Sequence, residues 1–149
     1  MMQTAPNVDE KNWGMYGHLS GMLAYSGIPF GGVIGPWVLY TQNRTQRPFA
    51  AEQARQALNF HITAGIVQVV AIVAAFVLYL SGIFTFVGAG KEATPSATGV
   101  VMVIGAVCSF LLYFAVYLFG LILTIVATVR ASNGNLFTYP LTIPFVKGS

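Results

Sequence analysis

Charge is what this sequence has least of. Only 7% of its 149 residues are Asp, Glu, Lys or Arg, while 56% are hydrophobic. A soluble domain carries about 25% charged residues because its surface faces water. So few charges cannot cover a water-facing surface, and the surface is expected to face lipid. Cysteine is nearly absent. The single one, Cys108, forms no intrachain disulfide, so no oxidising compartment is implied. Four acidic residues and two histidines leave little for chemistry. No Ser/His/Asp order, paired carboxylates or phosphate loop can be assembled. The net charge of +3 is scattered over loops and does not form a nucleic-acid stripe. Residues 1–12 are polar and lack an early basic cluster. They read as a disordered tail ahead of one membrane domain, residues 13–147, rather than as a cleavable signal.

Long uncharged runs are present instead. A spanning helix needs about 20 apolar residues. Leu58 to Val87 and Thr98 to Val129 contain no charge and read as two transmembrane helices, with a Gly- and Pro-broken turn at Gly88 to Ala97. A third uncharged region, Trp13 to Thr41, is interrupted by "SGIPFGGVIGP" at Ser26 to Pro36. Glycine and proline weaken a helix interior, which predicts two half-helices, Trp13 to Tyr25 and Val33 to Gln42. They form either one broken span or a hairpin that enters and leaves on one side. The hairpin is favoured, dipping in from the cytoplasmic side. Such backbone must be covered by protein or line a wet cavity, so this region should pack on the other helices. The fold expected is thus all-α and integral to the membrane, with two long spans and a broken or re-entrant first region. Arg44, Arg47 and Arg55 in the first loop, and Arg130 and Lys147 after the last span, outweigh Lys91. The positive-inside rule then puts the first loop and C-terminus in the cytoplasm.

The segment "QARQALNFHI", Gln53 to Ile62, loads the mouth of the second hydrophobic stretch with polar groups. At helical spacing Glu52, Arg55, Gln56, Asn59 and Thr63 share one stripe. Glu52 pairs with Arg55, and Arg55 reaches Asn59. His61 points nearly the opposite way and shares its face with Ala54, Ala57, Gly65 and Gln68. This cluster is either interhelical glue or a proton or substrate pathway. In a hairpin, His18 comes close enough to touch it. His18 and His61 could ligate a haem from its two faces, but hydrogen-bonded structural histidines are the commoner case. No acidic or cysteine ligand stands near them to complete a zinc set. No cofactor, metal or catalytic residue is therefore assigned, and no enzyme is expected.

Gly14, Gly17 and Gly21 give the first half-helix a small-residue face. Ser109, Tyr113, Tyr117, Gly120, Thr124 and Thr128 form a weakly polar seam on the last helix, expected to face the second. Trp13, Trp37 and Tyr139 are candidate interfacial anchors. Asn133 and Gly134 suit a helix C-terminus. Pro140 and Pro144 then make the tail extended, with room to pack under the helix mouths.

Taken in order, "HLSGML" (His18 to Leu23), "GVIGPWVLY" (Gly32 to Tyr40), "FAAEQARQALNFHIT" (Phe49 to Thr63) and "ASNGNLFTYPLTI" (Ala131 to Ile143) resemble a bacterial membrane family of unknown function. That family is similar, more distantly, to the small membrane subunit of the chloroplast inner-envelope protein-import translocon. The match covers about Tyr16 to Lys147. It implies a small multi-pass helical protein of the bacterial inner membrane and carries over no catalytic residue. The expected role is a scaffold or accessory subunit, associating with itself or with a larger membrane complex. The alternative is a channel or carrier for a small solute.

Overall fold

The computed structural model describes residues 5–28, 30–88 and 97–148. Among them every regular element is helical: α1 (Val8–Leu19), a 3₁₀ segment (Ser20–Tyr25), α2 (Gly31–Asn43), α3 (Pro48–Gly88) and α4 (Ala97–Ser132). The two long helices fall where the uncharged runs placed them. Of the turn expected at Gly88 to Ala97, residues 89–96 lie outside the described residues. α1 begins at Val8, inside the stretch read as a tail. The Asn7 side chain caps it by accepting from the Glu10 N–H at 2.8 Å, and Asp9 and Glu10 favour the positive end of the helix dipole. α3 opens on Pro48, where a missing N–H costs nothing. α4 stops where Gly134 turns to φ +80 and the Asn135 N–H reaches back to the Arg130 carbonyl at 3.0 Å.

Contacts divide the chain into two compact units, Met1–Ala64 with Phe119–Ser149, and Gly65–Leu118. The first contains a helical hairpin. α1 and the 3₁₀ segment form one arm, and α2 returns antiparallel to it. A Cβ added at Gly35 would lie 2.8 Å from Ser20 Cβ, one at Gly31 2.7 Å from Leu23 Cβ, and one at Gly32 2.6 Å from Ala24 Cβ. The arms touch because these glycines carry no side chain. At the open end Arg47 pairs with Asp9 at 2.5 Å and lies over the Trp13 ring at 5.2 Å. Trp13 and the residues after Thr41 therefore meet at one end, as the hairpin reading required.

The inner face of α1 then packs along α3. Added Cβ atoms at Gly14 and Gly17 would lie 2.9 Å from the Phe49 ring and 3.0 Å from the Ala54 backbone, and one at Gly21 would collide with His61. Behind this contact Ala57 and Phe60 of α3, Ala127 of α4 and Tyr139 of the tail form a core. Phe60 and Tyr139 stack with ring centroids 4.2 Å apart. The tail thus packs under the helix mouths. Tyr139 is a core residue, 2% exposed, rather than an interfacial anchor, because that stack and a bond to His18 draw it inward.

In the second unit α3 and α4 lie side by side, with Leu78 against Gly105 and Val103 against Gly82. Their outward side chains, among them Val69, Val73, Phe76, Ile104, Phe110 and Leu111, are exposed and apolar. Ser81 and Thr85 donate to the carbonyls of Val77 and Ser81 one turn back, at 2.8 and 2.7 Å. Hydrocarbon offers no water, so such groups must be satisfied within the helix. Both helices are long and apolar enough to cross a membrane.

Gly17→Val should lower stability in mild detergent by about 1–3 kcal/mol, because the new side chain meets backbone rather than a flexible tip. Gly65→Ala, with nothing within 4 Å of the added Cβ, should not destabilise. Thermal unfolding of the two variants checks the contrast.

Candidate functional site

The polar stripe forms as its spacing suggested. Arg55 donates to both carboxylate oxygens of Glu52, from Nε at 2.8 Å and from Nη2 at 2.5 Å, and Gln56 Nε2 donates to Glu52 Oε1 at 2.8 Å. Asn59 does not bind Arg55. Both residues turn instead to Val146 of the tail. Asn59 Nδ2 and Arg55 Nη1 donate to the Val146 carbonyl at 2.9 and 3.0 Å, and the Val146 N–H donates to Asn59 Oδ1 at 2.8 Å. Thr63 Oγ1 donates to the Asn59 carbonyl and accepts from the Ile143 N–H at 3.1 Å. The stripe is a clamp on the C-terminal tail.

His18 lies on the other side of α3 and touches none of these residues. Its partners are Gln53 and Tyr139, and their geometry fixes its tautomer. Gln53 Nε2 faces the Asn135 carbonyl at 2.8 Å, so it is the amide nitrogen, and Gln53 Oε1 is left toward His18 Nε2 at 2.6 Å. Nε2 must carry the proton. Nδ1 is then a bare acceptor, and the Tyr139 hydroxyl donates to it at 3.0 Å. The imidazole is fully buried. Burial, opposed by the Gln53 bond, lowers its pKa from 6.5 to about 4. Burial also raises the Tyr139 phenol, which stays protonated as a donor.

His61 is buried at 5% exposure and packs between Gly21 and Gly32, against Phe60 and Tyr25. Its Nε2 has no hydrogen-bond partner among the described residues and is pressed on Gly21. Its direction away from the stripe is as the helical spacing implied. Gln68, expected on the same face, belongs to the Gly65–Leu118 unit and is only half-buried. Neither nitrogen of His18 is open to a haem iron. No group of three or more His, Cys, Asp or Glu side chains gathers among the described residues. Along the seam of α4, Thr124 is buried, and an added Gly120 Cβ would meet the Tyr25 hydroxyl of the hairpin at 2.5 Å and Phe60 of α3 at 3.5 Å.

Residues 9–146 match the magnetosome magnetite crystal formation protein family. The chain belongs to that family. It is a bacterial membrane family, as the motif resemblance implied. No curated protein and no solved structure matches the chain.

The sequence reading missed Gln53, which is fully buried and joins α1 to the tail. A signal was available. Gln53 interrupts a face of small residues, Ala50, Ala54 and Ala57, all buried. A polar side chain inside a close-packing face has to find a protein partner.

Asn59→Leu removes both bonds to Val146 and should cost about 1–2 kcal/mol, with faster proteolysis after Lys147 in detergent. His18 binds a proton more weakly folded than unfolded. Its contribution to stability is therefore complete above pH 6.5 and lost as pH falls toward about 4. A melting curve measured across that window should steepen its fall in the native chain, and His18→Gln should flatten the dependence.

Proposed function

We propose that this protein is a non-catalytic scaffold or accessory subunit of a magnetite-forming membrane complex. One observation carries the reading: the clamp and the His18 site use their polar groups on the chain itself. Glu52, Arg55, Gln56, Asn59 and Thr63 bind one another or the tail, and His18, Gln53 and Tyr139 bind one another. A substrate or translocating solute would have to displace them. The apolar groove of about 600 Å³ in the second unit, lined by Ile72, Phe76, Tyr79, Ala106, Val107 and Phe110, offers a polar solute little to bind. Both features favour the scaffold over the channel or carrier. Family membership supplies the setting, since the family is named for magnetite crystal formation.

The proposal puts the protein in the bacterial inner membrane or a membrane derived from it, with the first loop and C-terminus cytoplasmic, because Arg44, Arg47, Arg55, Arg130 and Lys147 outweigh Lys91. Cysteines introduced as Thr45→Cys and Ser96→Cys, in a Cys108→Ser background, should react with an impermeant thiol reagent from opposite sides. Reaction from one side only would refute this topology.

Crosslinking in magnetite-forming cells, followed by purification in mild detergent, should recover the protein joined to a second copy or to another membrane protein. Recovery as an uncrosslinked monomer, together with solute flux in liposomes that Asn59→Leu abolishes, would replace the scaffold by a carrier.

A further inference from the structure

The helical hairpin is polarised along its length. Its charges, Asp9, Glu10, Lys11, Arg44 and Arg47, all lie at the open end, and none occurs from Asn12 to Asn43. Its inner face is glycine, closed on α3. Its outer face is an unpartnered apolar stripe, Leu19 and Leu23 on one arm and Ile34 and Trp37 on the other, all exposed. The stripe continues to the tip, where Ile28 is 52% and Phe30 78% exposed. Phe30 holds φ 57, a left-handed backbone that a bulky side chain resists, and this conformation leaves its ring outward. An apolar ring held outward at such a position has no rationale in water.

The hydroxyls agree with hydrocarbon. Ser20, Ser26 and Thr41 donate to the carbonyls of Gly17, Leu23 and Val38, all within the hairpin. At the tip the N–H groups of Ser26, Gly31, Val33 and Ile34 donate to the carbonyls of Leu23, Ile28 and Phe30. These groups need no water, which is what a lipid-exposed element requires.

The depth of the hairpin follows from the length of its arms. α2 holds 13 residues, about 20 Å of helix. A helix needs about 20 residues to cross a hydrocarbon core of roughly 30 Å. With the charges of both arms at one end, the tip cannot reach the opposite surface, and the hairpin inserts from one side only.

We propose that the α1–α2 hairpin is a single-leaflet lipid wedge, which gives the protein a preference for membrane curved so that the leaflet facing Arg44 is the outer, convex one. Two helical arms, each about 10 Å across with side chains, add area to that leaflet with no matching insertion from the other side. The partner is the bilayer itself, and the wedge is independent of the scaffold role.

Two measurements test it on the full-length chain in vesicles of phosphatidylcholine and phosphatidylglycerol. The first is depth. With Trp13→Phe and Trp37→Phe in place, Phe30→Trp should be quenched by lipids brominated on their acyl chains and shielded from aqueous iodide. Iodide quenching would put the tip in water and overturn the wedge. So would reaction of Phe30→Cys, in a Cys108→Ser background, with an impermeant thiol reagent from the side opposite Thr45. The second is curvature. In a Cys108→Ser, Thr45→Cys chain, an impermeant dye marks only copies whose first loop faces outward. Those copies should concentrate in tubes pulled outward from giant vesicles, increasingly as the tube narrows. Ile28→Ser with Phe30→Ser, both at exposed positions, should abolish the enrichment. Equal density in tube and vesicle, or depletion from the tube, would overturn the proposal.

Discussion

One imidazole ties the polar end of this protein together. His18 comes from α1, Gln53 from α3, and Tyr139 and Asn135 from the tail after α4. A single run of hydrogen bonds, from the Tyr139 hydroxyl through His18 and Gln53 to the Asn135 carbonyl, joins them. The run has one direction, because the Gln53 amide is oriented by the Asn135 carbonyl and in turn dictates the His18 tautomer. In an apolar surrounding, a buried donor or acceptor without a partner costs far more than it does near water. The three segments are thus held in register by the penalty for separating them more than by the strength of any one bond.

Around that run the packing is set by absence of side chains. Gly14, Gly17 and Gly21 let the first arm, α1 and the 3₁₀ segment, lie directly on α3, while Gly31, Gly32 and Gly35 let α2 lie on the first arm. Between apolar helices in lipid there is little hydrophobic drive to associate, so close backbone approach and polar contacts provide the specificity. The same glycine positions that weaken a helix in water are the ones that let this hairpin close. Where the chain lacks them, as along the exposed faces of α3 and α4 in the second unit, the side chains are left for lipid.

The two sets of polar residues on α3 accordingly have different tasks. The stripe from Glu52 to Thr63 faces the tail and holds it through backbone groups of Val146 and Ile143. The opposite face, with Gln53 and His61, receives the hairpin. A helix mouth that looks like an active site by composition is two seams, each closed by a segment distant in sequence. This arrangement suits a family of small membrane proteins whose recorded association is with crystal formation.

The sequence by itself determined what local periodicity and composition can encode. Two uncharged runs specified α3 and α4. The clustering of Gly and Pro between Ser26 and Pro36 specified a break, and Asn133–Gly134 specified the end of α4. The Glu52–Arg55–Gln56 contacts are readable because their partners lie within one turn. Tertiary structure alone decided the rest. His18 meets Gln53 and Tyr139 across separations of 35 and 121 residues. Asn59 reaches backbone atoms of Val146, which any residue there would offer, so no side-chain pattern announces that contact. Tyr139 was moved from interface to core by a ring stack that only the folded tail creates. Spacing fixes which way a side chain points on its helix; what it meets there depends on how the distant segments of the chain come together.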